Sequence, residues 1–271
     1  MTPAKVGGVT IGDGHPVLIA GPCMAESLDL CREVAEGLIG ICSVLSVQYI
    51  FKASFDKANR SGAGSDRGMG IELGLEVLAK IKDEFGVPVT TDVHLPGQAA
   101  SVASVADLLQ VPAFLCRQTD LLDACAETGK AVNVKKGQFL APHDTKNIVD
   151  KLQSVGASGI VLTERGASFG YNNLVVDMPG LAVMRGFGVP VCMDATHSAQ
   201  RPGAGGNKSG GNREAVPHLA AAAAAVGIDA LFLEVHPDPE NALSDAATQW
   251  PLAEAEALLR RTMRIWKAAA E

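Results

Sequence analysis

The stretch VLIAGPCMAES, residues 17–27, bears directly on the choice between the two main parallel α/β folds. It begins with a short apolar run and leaves that run through a Gly-Pro pair, which a cysteine and an acidic residue follow. Such a run is typical of a parallel strand that is buried on both faces. A doubly wound, dinucleotide-binding sheet would carry a glycine-rich turn after its first strand, and GPCMAES contains no such turn. The stretch therefore weakens the case for an open sheet.

Apolar runs and helical patterns alternate along the rest of the chain. The predicted strands are 17–22, 46–53, 88–93, 108–112, 131–135, 159–164, 189–195 and 230–236. The predicted helices are 26–40, 71–85, 97–106, 119–129, 144–155, 178–187, 211–226 and 251–269. Eight strand–helix units in about 250 residues are what a (β/α)₈ TIM barrel requires. The residues KVGGVTIGDG, 5–14, predict a short N-terminal β-hairpin that plugs the barrel bottom, and the lack of a linker predicts a single barrel domain over 1–271.

Composition and charge argue against several classes of function. Hydrophobic residues make up 47% of the 271 residues and aromatic residues 4%, which predicts a large aliphatic core. A net charge of −7 argues against nucleic-acid binding through a basic surface. No apolar run approaches the roughly 18 residues of a membrane span, and no signal peptide is recognisable. Six cysteines without a CxxC pair predict a reduced, cytoplasmic protein with no membrane or nucleic-acid partner.

Polar side chains mark the end of every predicted strand. In order along the chain they are Cys23, Lys52, Asp92 with His94, Arg117, Lys135, Arg165, Asp194 with His197, and Glu234 with His236. Function gathers at the carboxyl ends of the strands in a (β/α)₈ barrel. The set therefore predicts one shared site at that end.

The cations in this set indicate the chemical class of the substrate. They are Lys52, Lys57, Arg60, Arg117, Lys135 and Arg165. Crowding like charges is costly unless anions neutralise them, and arginine suits phosphate and carboxylate groups. So many cations predict two anionic substrates, or one substrate with two anionic ends.

A second group of residues has the chemistry of metal ligands. Cys23, His197, Glu234 and Asp245 are ligand types for Zn²⁺ or Fe²⁺, and barrel closure would bring the first, seventh and eighth strands together. Their wide spacing leaves open whether Cys23 is a ligand, a nucleophile or a packing residue. The loop RPGAGGNKSGG, 201–211, lacks the order of a Walker loop and is interpreted as a lid or as an anion-binding helix start.

Longer motifs make the pattern more specific. They are GPCMAES (21–27), FKASFDKANRSG (51–62), TDVH (91–94), CRQTD (116–120), NVKKGQF (133–139), TERGASFGYNNLVVDM (163–178), DATHSAQ (194–200) and EVHPDPENALSDAATQWPL (234–252). In this order, and over nearly the whole chain, they resemble the 3-deoxy-D-manno-octulosonate 8-phosphate synthases. The resemblance implies a (β/α)₈ homotetramer that condenses phosphoenolpyruvate with arabinose 5-phosphate, releases inorganic phosphate and serves lipopolysaccharide precursor synthesis.

The same resemblance implies roles for individual residues. Cys23 stands where the metal-independent branch of the family carries Asn, so the chain resembles the metal-dependent branch and a nucleophilic cysteine is not expected. The implied ligands of a Zn²⁺, Fe²⁺, Mn²⁺ or Co²⁺ ion are Cys23, His197, Glu234 and Asp245. The implied substrate-binding residues are Lys52, Lys57, Asn59, Arg60, Ser61, Asp92, Arg117, Lys135, Gln138 and Arg165. The implied catalytic residues are Lys57, Lys135, His197 and Asp245.

Within the substrate-binding set, Lys52, Lys135 and Arg165 are expected on the phosphate and carboxylate of phosphoenolpyruvate, with Arg117 and Gln138 nearby. Asn59, Arg60 and Ser61 are expected on arabinose 5-phosphate, and Asp92 on its hydroxyl groups. The sister synthases that use erythrose 4-phosphate typically carry a KPRTS-type stretch where this chain has KANRS, 57–61, which favours the five-carbon sugar.

Two other classes of function are less well supported by the residues. A zinc hydrolase on a barrel usually clusters histidines in an HxH pattern, and the sequence has none. A barrel that has lost catalysis and serves as a binding module would have lost strand-end cations, and none is missing.

Overall fold

Eight parallel strands close into a barrel in the computed structural model, which describes residues 1–58, 67–205 and 208–270, with backbone alone at 204, 205, 208 and 209. The strands in chain order are β1 (Ala4–Val6), β2 (Val9–Ile11), β3 (Val17–Gly21), β4 (Gln48–Lys52), β5 (Val89–Asp92), β6 (Leu108–Val111), β7 (Ala131–Lys135), β8 (Ile160–Glu164), β9 (Ala167–Ser168), β10 (Leu174–Val175), β11 (Val191–Asp194), β12 (Gln200–Gly205), β13 (Lys208–Gly211), β14 (Ala230–His236) and β15 (Trp250–Pro251).

The barrel consists of β3 to β8, β11 and β14, and the parallel pairing of β11 with β14 closes it. All eight strands begin and end within two residues of the bounds predicted from the sequence, so the predicted TIM barrel is confirmed. Their residues are buried almost throughout, as expected of parallel strands covered on both faces.

Helices surround the barrel on its outer face. They are α1 (Leu28–Leu45), α2 (Ile71–Phe85), α3 (Ala99–Ala103), α4 (Thr119–Glu127), α5 (Lys146–Ser154), α6 (Met178–Arg185), α7 (Val216–Val226) and α8 (Leu252–Ala270). At the start of α1 the side chain of Ser27 accepts a hydrogen bond from the backbone N–H of Leu30 (3.1 Å), which caps the helix directly after GPCMAE. No helix in the described part of the chain has both the length and the apolar character that a membrane crossing requires.

The N-terminal hairpin seals the bottom of the barrel. The side chains of Ala4, Val6 and Ile11 on β1 and β2 are fully buried, and they pack with inward-facing residues such as Ile19 and Phe232 in one apolar cluster. The predicted hairpin is therefore confirmed, and its apolar residues leave the carboxyl ends of the strands as the open end.

Three predicted helices differ from the structure. The helix predicted over 26–40 runs over Leu28–Leu45 and is five residues longer at its C-terminal end. Residues 97–106 form a short 3₁₀ turn, Pro96–Gln98, followed by the single turn of α3. The helix predicted over 211–226 begins only at Val216, because β12 and β13 pair as an antiparallel ribbon through Gly211. The glycine-rich loop therefore does not open the helix, and the interpretation of 201–211 as an anion-binding helix start was wrong.

Candidate active site

A cavity opens at the carboxyl end of the barrel. The described residues that line it are Lys52, Asp56, Lys57, Asp92, His94, Gln110, Pro112, Ala113, Phe114, Lys135, Gln138, Arg165, Asp194 and His197. Its charged groups come from five different barrel strands and the segments after them, so the fold brings together residues that lie far apart in sequence.

One side of the cavity, here called the cationic half, consists of Lys52, Lys135 and Arg165 at the ends of β4, β7 and β8. Lys52 is buried and donates to Glu234 Oε1 (2.9 Å) and to the carbonyl of Cys23 (3.1 Å). Lys135 pairs with the buried carboxylate of Asp194. All three cations line the same cavity.

Arg165 retains unused hydrogen-bonding capacity. Its Nη2 donates to Gln200 Oε1 (2.9 Å), whereas its Nη1 is buried and has no hydrogen-bond partner among the described residues. Burial lowers the pKa values of both Arg165 and Lys135, and the nearby carboxylate of Asp194 opposes this effect in each case. A bound anion would supply the missing partner and offset the cost of burying these charges.

A chain of polar side chains crosses the barrel interior beside the cationic half. Lys57 donates to Ser54 Oγ (3.0 Å), and Ser54 donates to Asp92 Oδ2 (2.5 Å). Gln110 donates to Asp92 Oδ1 (2.7 Å) and accepts from Asn133 (3.1 Å). One carboxylate oxygen of Asp92 accepts from Ser54 and the other accepts from Gln110. These bonds hold Asp92 at the side of the cavity where Lys57 lies.

The charges around this chain set its ionisation. Burial raises the pKa of Asp92, but the combined effect of Lys52, Lys57, His94 and the hydrogen bond from Gln110 outweighs it, so the carboxylate stays charged. Burial lowers the pKa of Lys57, but the nearby acidic groups of Cys23, Glu234 and Asp92 outweigh that effect and the net direction is upward. Lys57 is therefore a protonated, donating group at this position.

Next to the cationic half lies a second group, here called the ligand half, which consists of Cys23, His197, Glu234 and Asp245; His197 lines the cavity and the other three lie beside it. One ligand atom from each of Cys23, Glu234 and Asp245 lies within 4.8 Å of the others. The Cys23 thiol is 3.3 Å from Asp245 Oδ2 and 3.0 Å from Ser244 Oγ. This cluster forms where β3, β14 and the segment after β14 meet, as the predicted closure of the barrel requires.

His197 lies beside the cluster and is oriented from behind. Its Nδ1 is 2.7 Å from Asp194 Oδ2, and its Nε2 is 3.5 Å from Glu234 Oε1 and 3.7 Å from Asp245 Oδ2. Asp194 also accepts from the backbone N–H of His197 (2.8 Å), which fixes the ring further. A carboxylate that holds one ring nitrogen while the other faces a cluster of ligands is the usual arrangement around a metal-binding histidine.

The segment after β14 delivers Asp245 through a strained backbone. Asp245 has a positive φ of 48°, and its carbonyl accepts from the N–H groups of Thr248 (2.9 Å) and Gln249 (3.0 Å). Gln249 in turn accepts from the backbone N–H of Cys23 (3.1 Å) and donates to the carbonyl of Ser244 (2.8 Å). The side chain of Gln249 thereby ties the cysteine segment to the aspartate segment.

The ligand half fits a divalent metal ion. Burial raises the pKa of the Cys23 thiol well above its usual value, and the carboxylates of Glu234 and Asp245 raise it further. Burial also raises the pKa of Glu234, but His197, Lys52 and Lys57 lower it to about 2. Glu234 Oε2 is buried without a hydrogen-bond partner among the described residues. A cation held between these groups would satisfy that oxygen and favour the thiolate, and the S, N and O donors suit Zn²⁺, Fe²⁺, Mn²⁺ or Co²⁺.

Comparison with known proteins identifies the family. The sequence matches the DAHP synthetase I family over residues 1–268. The chain belongs to this family. Curated relatives named 2-dehydro-3-deoxyphosphooctonate aldolase include one from Synechococcus sp., 57% identical over 99% of this chain and 95% of the relative. Another, from Dechloromonas aromatica, is 55% identical over 97% of this chain and 96% of the relative. A third, from Nitratidesulfovibrio vulgaris, is 55% identical over 92% and 91%. The resemblance drawn from the motifs is confirmed.

Within this member of the DAHP synthetase I family, the structure brings together most of the residues that the motifs indicated. Lys52, Lys57, Asp92, Lys135, Gln138, Arg165 and His197 line the cavity, and Cys23, Glu234 and Asp245 cluster beside it. Arg117 is exposed on the segment before α4 and does not line the cavity, although its carbonyl accepts from Lys151 (3.1 Å). Asn59, Arg60 and Ser61 lie outside the described residues, so their predicted roles stay predictions.

Several residues that shape the site in this family member were missing from the predicted set. Gln110 and Asn133 lie inside apolar strands, where a lone polar residue is the signal that points to an inward-facing position. Asp194, which contacts both Lys135 and His197, was noted at a strand end without an assigned role. Gln249 gave no signal of its own, because its contacts depend on the path of the segment after β14.

Proposed function

We propose that this chain condenses phosphoenolpyruvate with D-arabinose 5-phosphate and water to give 3-deoxy-D-manno-octulosonate 8-phosphate and inorganic phosphate. The names of relatives that align over nearly the whole chain support this reaction. The observation that carries the proposal is the cavity itself, in which four buried or half-buried cations converge beside a cluster of metal-ligand type. The reaction is a transfer of the aldol-condensation type and yields a lipopolysaccharide precursor.

The cationic half is the proposed binding place of phosphoenolpyruvate. Lys52, Lys135 and Arg165 would contact its phosphate and carboxylate, and Gln138 lies beside them on the cavity wall. The free Nη1 of Arg165 supports this role, because a guanidinium that keeps unused donors can take a phosphate or carboxylate through two bonds. Arg117 is a candidate for the same anion only if another arrangement of its exposed side chain brings it to the cavity.

The chemistry requires charge to be stabilised at two centres. The third carbon of phosphoenolpyruvate bonds to the aldehyde carbon, a water molecule adds to the second carbon, and the bond from that carbon to the phosphate oxygen then breaks. Lys57, which is protonated and is linked to Asp92 through Ser54, would donate to the aldehyde oxygen as it gains negative charge. Lys135 would stabilise the phosphate as it leaves, and Asp92 would accept from sugar hydroxyl groups.

A divalent ion is proposed on Cys23, His197, Glu234 and Asp245. When bound, the ion would supply a fixed positive charge that orients the aldehyde or a water molecule, since a thiolate ligand weakens its strength as a Lewis acid. Asp194 would hold the His197 ring with Nε2 toward the cluster, and Gln249 would keep the Cys23 and Asp245 segments together. His197 and Asp245, predicted to be catalytic, would act by holding and orienting groups at the reacting end.

The sugar specificity is proposed to depend on KANRS, 57–61, with Asn59, Arg60 and Ser61 on arabinose 5-phosphate. We expect Arg60→Ala to raise the KM for arabinose 5-phosphate by about 10- to 150-fold, the loss of one charge-assisted contact. The KM for phosphoenolpyruvate should change far less. Steady-state kinetics with each substrate varied in turn tests this, and an equal loss for both substrates would show that Arg60 does not belong to the sugar site. An assay with erythrose 4-phosphate in place of arabinose 5-phosphate distinguishes this reaction from that of the sister synthases.

The reaction itself is tested by phosphate release from phosphoenolpyruvate plus arabinose 5-phosphate, before and after exhaustive chelation. We expect release that depends on both substrates, collapses on chelation and returns with a divalent ion. Phosphate release that survives chelation would support the synthase reaction but contradict the proposed metal-binding role of Cys23. No release from any metal-loaded sample would refute the proposed function.

Two further properties are proposed from the resemblance. A cytoplasmic location would keep Cys23 reduced, and all six cysteines are free in the structure. A homotetramer of the 28.0 kDa chain is expected, and light scattering on the purified protein measures it directly.

A further inference from the structure

The ring of Phe232 lies directly beneath the cations of the cavity. Phe232 is fully buried on β14, and the ammonium nitrogen of Lys135 is 3.3 Å from the centre of its ring. The ammonium nitrogen of Lys52 is 5.5 Å from the same centre, and the His197 ring centre is 5.8 Å away. Both ammonium–ring contacts found in the described part of the chain involve this one ring.

Phe232 also marks the boundary between the apolar interior and the charged cavity. In the barrel it pairs in register with Asp194 on β11 and with Ile19 on β3. Below it, Ile11, Ile19 and Ile50 belong to the fully buried cluster that the N-terminal hairpin closes. Above it are the charged ends of Lys52 and Lys135. The aromatic face of Phe232 therefore forms the upper surface of this cluster, directly below the charged side chains.

The choice of an aromatic residue matters because of what lies against it. An ammonium group that is pressed onto an aliphatic surface loses hydration and gains nothing in return. The face of a phenyl ring carries negative potential and attracts a cation within about 6 Å of its centre. Phe232 is therefore an apolar floor that stabilises the charged lysines, which an aliphatic residue of similar size would not do.

We propose that Phe232 is a positioning residue for phosphoenolpyruvate: its ring face holds the ammonium groups of Lys135 and Lys52 at the floor of the cavity, in place for the anionic groups of the substrate. This inference rests on the proposed function, because it assigns Lys135 and Lys52 to that substrate. The competing explanation is that Phe232 only fills space at the top of the inner cluster. The two explanations differ in whether the electron density of the ring matters.

The test replaces Phe232 alone by phenylalanine analogues with one, two and three ring fluorines, introduced site-specifically into the full chain. Fluorination weakens the negative potential of the ring face and barely changes its size, whereas Phe232→Leu would also disturb packing. We expect the Kd for phosphoenolpyruvate, measured by calorimetry on the metal-loaded protein, to rise with each fluorine and to reach about tenfold with three. The KM for arabinose 5-phosphate should stay within about twofold, since the ring acts on the cationic half.

Phe51 provides the matched control. It is fully buried on β4 and belongs to the outer core between the barrel and its helices, so the same analogues at 51 perturb packing without an ammonium above the ring. We expect a flat series for phosphoenolpyruvate at that position. A flat or falling series at 232 with a wild-type protein that binds phosphoenolpyruvate would overturn this inference alone. A wild-type protein that binds no phosphoenolpyruvate would overturn the proposed function and this inference with it.

Discussion

The cationic half and the ligand half carry opposite excess charge and are connected by buried ion pairs. The cationic half contacts the ligand half directly through Lys52–Glu234 (2.9 Å), and indirectly through Asp194, which pairs with Lys135 and contacts His197. Each pair is buried, and in each the lysine is also a proposed contact of the substrate. The same carboxylates face the proposed metal site, directly for Glu234 and through His197 for Asp194. An anion bound to the cationic half would therefore neutralise the lysines that the carboxylates now balance. A cation bound to the ligand half would neutralise the carboxylates that the lysines now balance.

The buried carboxylates of Asp194 and Glu234 differ in how many partners hold them. Asp194 accepts from Lys135, from Thr196 (3.1 Å) and from the backbone of His197, so its position is fixed by several partners at once. Glu234 has one oxygen on Lys52 and one without a partner among the described residues. The structure thus holds Asp194 as a support and leaves Glu234 available as a ligand.

The largest expected effect comes from removing Lys135, the buried partner of Asp194 and a proposed contact of the substrate. Lys135→Met should lower kcat/KM for phosphoenolpyruvate by about 10³-fold, because it removes a substrate contact and leaves the buried Asp194 without its cation. Steady-state phosphate release measures the effect. Lys82→Met is the matched control, since Lys82 also forms an ion pair (2.8 Å, with Asp107) but lies at the bottom of the barrel. A similar loss in both variants would mean that lost stability, not the site, explains the result.

Part of this arrangement could be predicted from the sequence alone. The strand positions could be predicted because buried parallel strands appear as apolar runs, and barrel closure then brings Cys23 next to Glu234 although the two are far apart in sequence. The contacts between the halves could not be predicted, since they depend on which face of β11 carries Asp194 and on how long side chains cross the barrel. The ribbon of β12 and β13 was missed because its glycine-rich sequence has no alternation of apolar and polar residues.

The next largest effect concerns the ligand half alone. Cys23→Asn should weaken divalent-metal binding by more than about 100-fold, because it replaces a thiolate with a neutral amide. Phosphate release should stay within about tenfold of the wild type if the ion only orients substrate and water. Metal content and phosphate release are measured on the same sample. Activity that is abolished in the metal-free Cys23→Asn protein would mean that the ion has a chemical role.

A smaller effect is expected from the support behind His197. Asp194→Asn should weaken metal binding by about 10- to 100-fold, the usual cost of removing the carboxylate that orients a histidine ligand. Asp229→Asn is the control, since Asp229 is a buried carboxylate that accepts from Arg185 (3.0 Å) and from the backbone of Val191 (2.9 Å) outside the site. Calorimetric titration with Co²⁺ should distinguish the two variants. Unchanged affinity in Asp194→Asn would exclude the orienting role.

The smallest expected effect tests whether the halves are coupled at all. A divalent ion that takes Glu234 would weaken its pair with Lys52, and the freed ammonium would then bind phosphoenolpyruvate more tightly. We expect the Kd for phosphoenolpyruvate to fall by about fivefold when the metal is added, and the metal affinity to rise by the same factor when phosphoenolpyruvate is present. Calorimetry in both orders of addition measures the two values. In Lys52→Met the metal should no longer change the Kd, because the lysine that links the halves is gone. A fivefold coupling that persists in Lys52→Met would mean that the ion acts on the substrate directly, and that the shared ion pair only neutralises charge in the empty cavity.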